Sequence, residues 1–250
     1  SDVPVGVCFS GGLDSSGIVS VLLKDQHRDE LNTFSAVYGN GEIGDESRYM
    51  NLYRDRLKNM YFVTPDADSL AADLDAFTAA HGEPVPSTSV YAQYKLCELA
   101  KKSVTVALDG QGADEFLAGY HYFYGFYFKE LLKKGRYSRL ASEVYYYLVN
   151  QRSIFALKTL LFFMLPSTTR TKLRADKYGY ILTEFESKFG SSNTISDNLY
   201  GSSSLRDAML DHFEFKLEHN LLWNDKNSMR FSLELREPLL DYRLVERSLA

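Results

Sequence analysis

Over the first 120 residues, apolar and polar positions switch regularly between two periods. Four short runs, Val3 to Phe9, Thr33 to Tyr38, Tyr61 to Thr64 and Ser103 to Leu108, have the length and apolar content of buried strands. Between them lie helical patterns. Leu13 to Lys24 puts Leu13, Ile18, Val21 and Leu22 on one face. Asp45 to Leu57 has acids (Asp45, Glu46) in its first turn and bases (Arg54, Arg56, then Lys58) at its end, as a helix dipole prefers. Pro65-Asp66 opens a helix through Ala80, and a loop holding Pro84 and Pro86 precedes another from Val90 to Lys101. Glycines break the first strand at Ser10-Gly11-Gly12 and the fourth at Asp109-Gly110-Gln111-Gly112. Strand and helix in strict alternation predict an α/β fold, a doubly wound and mainly parallel sheet.

From Tyr120 the alternation stops. Helical patterns dominate to about Pro166, a Ser/Thr/Gly-rich stretch from Ser187 to Ser204 reads as a loop, and an amphipathic helix resumes near Leu205. The apolar run Ile154 to Leu165 is shorter than the ~20 residues that span a bilayer, so it predicts a buried helix and no membrane partner. The expected organisation is a nucleotide-type α/β core over 1–119 and a helical part over 120–250. The chain opens without Met or a basic-then-apolar leader, and Tyr242 to Ala250 reads as a helix without a cap. Both ends predict a piece of a longer protein.

Composition narrows the function classes. Apolar residues at 45% and charged residues at 24% are ordinary for a globular chain. The net charge of −5 provides no basic stripe for nucleic acid or anionic lipid. Cys8 and Cys97 fit neither a disulfide framework nor a zinc spacing, which predicts a cytoplasmic protein. The unusual feature is aromatic: seven of the nine residues from Tyr120 to Phe128 are Tyr or Phe. Directly after the fourth-strand loop, this run reads as an apolar join between the two parts and not as a base-stacking platform.

In an open parallel sheet, ligands bind beyond the carboxyl ends of the strands. Two of those loops carry chemistry. In Ser10-Gly11-Gly12-Leu13-Asp14-Ser15-Ser16, glycines let backbone approach a ligand, and the next helix aims N–H groups and its positive end at a phosphate. No Lys follows, so it is not the Gly-x-x-x-x-Gly-Lys type of cradle. Asp14 among phosphates requires a divalent cation, which predicts Mg2+; a plain helix cap is the alternative. In Asp109-Gly110-Gln111-Gly112-Ala113-Asp114-Glu115 the acids either complement a helix dipole or supply a second carboxylate to the same metal. Gly39-Asn40-Gly41-Glu42-Ile43-Gly44 satisfies a dinucleotide fingerprint, yet it follows the second strand and leads into Asp45-Glu46, which repel a pyrophosphate. It reads as a loop, with nucleotide-dependent oxidoreduction as the minor alternative. The five histidines are scattered, and surface or interface positions are expected for most of them.

The two loaded loops, together with Ser228-Met-Arg-Phe-Ser-Leu-Glu-Leu-Arg-Glu-Pro-Leu-Leu-Asp241, resemble the synthetase domain of glutamine-dependent asparagine synthetases. The likeness spans nearly the whole chain and implies an ATP-pyrophosphatase fold of the adenine nucleotide alpha hydrolase-like type. The first motif is shared by many ATP pyrophosphatases; the second and third are more specific. By this resemblance, Ser10 to Ser16 (Ser10, Gly11, Gly12, Asp14, Ser15, Ser16) wrap the pyrophosphate of ATP. Cys8 and Val37 hold adenine through their backbones, Asp109 and Gly110 lie beside the ribose and α-phosphate, and Asp14 and Asp114 ligate Mg2+. Gln111 and Glu115 occupy the catalytic positions. The implied reaction adenylates a carboxylate, the aspartate side chain or another acceptor, and ammonia from a glutaminase domain then displaces AMP. A homodimer belongs to the same expectation.

The departures define the alternatives. The family commonly has Glu at the place of Gln111, and an amide cannot act as a general base. Asp109 replaces a usual Ser, and Met60-Tyr61-Phe62 stands where a His-rich turn is usual. Family members also carry a Lys in a basic segment beyond the third motif, past the end of this chain. Closure of a β-lactam-like ring, amidation of another acceptor and a catalytically idle nucleotide-binding module are the rival readings. In the third motif, Arg236 and Glu234 are expected to make ion pairs, with Met229 and Leu233 in the core. Glu83, Ser87 and Thr88 are expected near the acceptor.

Overall fold

The computed structural model describes residues 2–25, 30–39, 44–178, 182–189 and 194–250. The chain divides into two compact units: Ser1–Gly112 with His219–Val245, and Ala113–Glu218 with Glu246–Ala250. Residues 219–245, placed by pattern with the helical part, therefore belong to the first unit.

The first unit is built on a wholly parallel five-stranded sheet in the order β3-β2-β1-β4-β5. Its strands are β1 (Val5–Cys8), β2 (Asn32–Ala36), β3 (Asn59–Val63), β4 (Val106–Leu108) and β5 (Glu234–Arg236). Helices α1 (Leu13–Asp25), α2 (Ser47–Met50), α3 (Ala67–His81) and α4 (Ser89–Ala100) fall between them, and α13 (Leu217–Arg230) leads into β5. Period-two alternation sends successive side chains to opposite faces. Val7 and Phe9 pack with Ile18, Val19 and Leu23 of α1, whereas Cys8 and Phe34 pack with Leu96, Cys97 and Ala100 of α4. Both faces are covered, as a parallel sheet requires.

Several elements differ from the pattern. The expected helix over 45–57 is one α turn followed by a 3-10 turn, Asn51–Tyr53. Of its residues only Met50 and Leu57 are buried, too narrow an apolar face to hold three turns. β4 begins at Val106 and not at Ser103, because the N–H groups of Ser103 and Val104 still close α4 on Ala100 O. α3 starts as read: Asp66 accepts from Ser69 N–H at 2.8 Å, and Ser69 Oγ accepts from Asp66 N–H at 3.0 Å.

The second unit is helical: α5 (Ala113–Phe116), α6 (Phe123–Lys133), α7 (Tyr137–Gln151), α8 (Phe155–Met164), α9 (Ser167–Tyr178), α10 (Thr183–Phe189), α11 (Thr194–Gly201) and α12 (Leu205–Phe215). The stretch 187–204, expected as a loop, is helical over most of its described residues; 190–193 lie outside them. α8 is not the buried helix expected, since Ala156 and Phe163 are buried but Leu161 is 65% exposed. The aromatic run packs within its own unit. Phe123 and Phe126 join Phe163 and Ala208, and Phe128 joins Tyr147 and Ala156. Gly125 lets α6 and α8 meet, because a Cβ there would come 2.5 Å from Thr159 Oγ1. Among the described residues, no helix is long and apolar enough to cross a membrane.

Candidate functional site

β1 pairs with β2 on one side and β4 on the other, so strand order reverses at β1 and the topological switch point lies between the ends of β1 and β4. The Ser10–Ser16 loop emerges there and is braced by its own hydroxyls. Ser10 Oγ and Ser15 Oγ are 3.0 Å apart, Gly12 N–H donates to Ser10 Oγ at 3.1 Å, and Ser16 Oγ donates to Gly11 O at 3.3 Å. Gly11 has φ +84°, and a Cβ on it would sit 2.9 Å from Glu46 O. Only glycine fits such a turn. Asp14 lies in the first turn of α1, half-buried.

Asp109 and Gly110 leave β4 on the other side of this switch point. A Cβ on Gly110 would come 3.2 Å from Ser15 N and 3.3 Å from Asp14 Cβ, so the two motifs meet backbone to backbone. Asp109 Oδ1 accepts from Gly110 N–H at 2.6 Å, and its Oδ2 accepts from Gln93 Nε2 at 3.0 Å. Gln93 is the end of a chain of amides. Asn227 Nδ2 donates to Gln93 Oε1 at 3.2 Å and to Val90 O at 2.9 Å, while its Oδ1 accepts from His81 Nε2 at 2.9 Å. Glu237 follows β5 and is the residue that the motif reading missed. Burial, then the Asp109 charge, pushes its carboxyl up to about 8; burial also raises Asp109. Gln111 presents its backbone N–H to both carboxyls.

Cys8 ends β1 with its thiol in the core, raised far above the ordinary range by burial and then by Asp109, so only its backbone can serve a ligand. Val37 follows β2 and donates its N–H to Val63 O at 2.9 Å. The glycine fingerprint at 39–44 is outside the described residues at 40–43. Its flanks are tied down: Asp45 Oδ2 accepts from the N–H groups of Tyr38 and Gly39, each at 2.9 Å, and Oδ1 accepts from Ser47 N–H at 2.9 Å. These bonds, the Ser47 hydroxyl first, hold the Asp45 carboxyl down at about 2.

In the second unit, Asp114 and Glu115 form the first turn of α5. Glu115 is fully buried; its Oε1 accepts from Tyr120 OH at 2.7 Å, and its Oε2 has no hydrogen-bond partner. Lys216 answers both acids. Its ammonium sits 3.2 Å from the Tyr120 ring centroid and donates to Tyr122 OH at 3.2 Å. Burial raises Asp114 and Glu115, Lys216 opposes both shifts, and burial lowers Lys216 itself. Lys216 has no motif around it in the sequence, and only the fold reveals it.

Other expectations divide. Arg236 and Glu234 do pair, at 2.6 Å, and Leu233 is buried, but Met229 is half exposed. His81 and His212 are buried and not at the surface: each bonds to one fixed oxygen, Asn227 Oδ1 and Ala208 O respectively. Glu83 pairs with Lys226 at 2.8 Å, and Lys226 also caps the His81 carbonyl at 2.6 Å. Ser87 and Thr88 are exposed just before α4. Among the described residues, no group of three His, Cys, Asp or Glu side chains is arranged to hold a metal ion. The glycine-lined cradle with the hard oxygen donor Asp14 still fits a Mg2+ that arrives with phosphate oxygens.

Comparison with known proteins agrees with the motifs. The chain is 39% identical over 124 residues to a putative glutamine-hydrolyzing asparagine synthetase of Methanocaldococcus jannaschii, covering 48% of this chain and 23% of that protein. It is 36% identical over 124 residues to asparagine synthetase 1 of Bacillus subtilis, covering 48% and 19%. It is also 27% identical over 137 residues to amidase chry2 of Gibberella zeae, covering 49% and 20%. The matched parts are thus about a fifth of the length of these relatives. The profile described as asparagine synthase matches residues 1–250, the entire sequence, and the chain therefore belongs to the asparagine synthase family.

Proposed function

We propose that the chain is the synthetase part of an ATP-dependent amide-forming ligase. The observation that carries this reading is the meeting of the Ser10–Ser16 loop with Gly110 at the switch point of a parallel sheet. There α1 offers its N-terminal end and a run of hydroxyls to a pyrophosphate. Asp109 and Gly110 stand where the ribose and α-phosphate would lie. An adenine contact at Val37 falls to its carbonyl, since its N–H is used in the sheet.

The acceptor is a carboxylate, with the aspartate side chain as the first choice. Its oxygen attacks the α-phosphorus, forming a C–O–P link while the bond to pyrophosphate breaks. Ammonia then attacks the acyl carbon, the C–O bond breaks, and AMP leaves with the electron pair. Mg2+, when bound, neutralises charge on the departing pyrophosphate. Asp14 and Asp114 are the carboxylates proposed for it. In this reading the ammonia comes from a glutaminase domain, and the protein acts in the cytoplasm, as a homodimer in its full form.

ATP–pyrophosphate exchange by the full-length protein tests the reading. Exchange that requires both Mg2+ and aspartate supports it, and exchange with a different carboxylate moves the acceptor without moving the reaction. Tight Mg·ATP binding without exchange for any acceptor would favour the idle module instead.

A further inference from the structure

Asp109 and Glu237 are neighbours by register. β4 and β5 run parallel with Leu108 opposite Arg236, and Asp109 N–H donates to Arg236 O at 2.9 Å. The next residue of each strand is therefore a carboxylic acid, side by side beyond the carboxyl end of the sheet. Two ionised carboxylates so placed out of water repel strongly.

Their partners differ in a way that assigns the proton. Asp109 is the end of a one-way chain of donors: His81 to Asn227, Asn227 to Gln93, Gln93 to Asp109. A second donor, Gly110 N–H, meets its other oxygen. That is the environment of an ionised carboxylate. Glu237 has one long side-chain contact, from Asn224 Nδ2 at 3.3 Å, besides the Gln111 N–H that it shares with Asp109, and its buried Oε2 makes no hydrogen bond. The groups facing the pair from the other elements are neutral: the Cys8 thiol from β1, the Cys97 thiol and Gln93 from α4, and Asn224 from α13.

We propose that Glu237 is a positioning residue that works as a neutral carboxylic acid: by keeping its proton it holds the Asp109–Glu237 pair to one negative charge, and Mg·ATP binds to that protonated state. The inference rests on the nucleotide reading above. Asp109 fixes the Gly110 N–H, and Gly110 in turn abuts Asp14 and Ser15. A second charge beside Asp109 would both strain that arrangement and oppose the phosphates. Glu237 acts through Asp109, and no bond of the reaction is made or broken at it. Burial, and then the Asp109 charge, raises the Glu237 carboxyl well above the ordinary carboxylate range.

The test is the pH dependence of Mg·ATP binding to the full-length protein between pH 7.5 and 9.5, by calorimetry in two buffers of different ionisation enthalpy. One linked proton predicts that affinity falls about tenfold per pH unit once the pair titrates, with uptake approaching one proton per nucleotide above that point. Glu237→Gln, which mimics the protonated acid, is expected to flatten the slope whatever its affinity at pH 7.5. Asp109→Asn should move the slope to lower pH without abolishing it, because burial still raises the Glu237 carboxyl once the neighbouring charge is gone. Tight wild-type binding with no slope and no proton uptake overturns the inference but leaves the nucleotide site standing. An unchanged slope in a folded Glu237→Gln protein also overturns it. Absence of Mg·ATP binding at every pH overturns the nucleotide reading itself.

Discussion

Gly119 lies directly against the carboxylate of Asp114: a Cβ built at residue 119 would collide with Asp114 Oδ1. The backbone is tied there as well, with Gly119 N–H donating to Asp114 O at 3.0 Å. Gly119→Ala is therefore expected to push the Asp114 side chain aside, with an overpacking cost of about 1–3 kcal/mol. Thermal unfolding reads the cost. Exchange activity should fall further than the loss of folded protein explains.

Asp14 is the carboxylate of the first cradle. Asp14→Asn keeps its size and removes its charge, so exchange should fall by ~10² or more if that charge places the cation. A folded variant with wild-type exchange at saturating Mg2+ would remove Asp14 from the metal site.

His212 is buried among Tyr122, Phe123 and Phe126, and its Nδ1–H donates to Ala208 O at 2.7 Å. Burial first, opposed by that bond, brings it down to about 4 from 6.5. It is neutral when folded, and the unfolded chain binds the extra proton. Stability is thus lost as pH falls from about 6.5 to about 4, by an amount on the order of 3 kcal/mol. Denaturant melts should show that wild type loses more than His212→Gln over this window.

Asn227 sits at the centre of the amide chain. Asn227→Ala leaves His81 Nε2 and Gln93 Oε1 without their partner, a cost of about 1–3 kcal/mol for each buried group left unsatisfied. Chemical denaturation should find a destabilised first unit.

Asp45 holds the backbone N–H groups of Tyr38 and Gly39. Asp45→Ala should release both, and hydrogen exchange at these two amides is expected to accelerate with little change in β2 itself.

The strands that carry the site were legible because each is a compact apolar run stopped by glycine or polar residues. β1 and its Ser-Gly-Gly turn are the clearest case. β5 was not legible: three residues, Glu234-Leu235-Arg236, are too few to show a period, and two of them are exposed. Motif likeness marked that segment as important without saying that it is a strand. For the same reason Glu237 went unnoticed, since its role exists only through the register with Asp109. Lys216, His81 and His212 share this cause. Their contacts with Tyr120, Asn227 and Phe123 lie 96, 146 and 89 residues away in sequence, and nothing local distinguishes them from surface residues. The reading of 154–165 as buried failed in the opposite direction, because hydrophobicity alone does not say whether a helix has neighbours on every side.

The order in which the sheet is completed has a consequence for synthesis. β1 to β4 all precede residue 109 in the chain, but β5 follows only at 234–236, after residues 113–218 of the second unit. Until then β4 is a bare sheet edge, with its N–H and C=O groups open to pairing with another nascent chain. The strand that closes this edge also delivers Glu237. Protection from aggregation and completion of the carboxyl pair therefore come in a single late docking event.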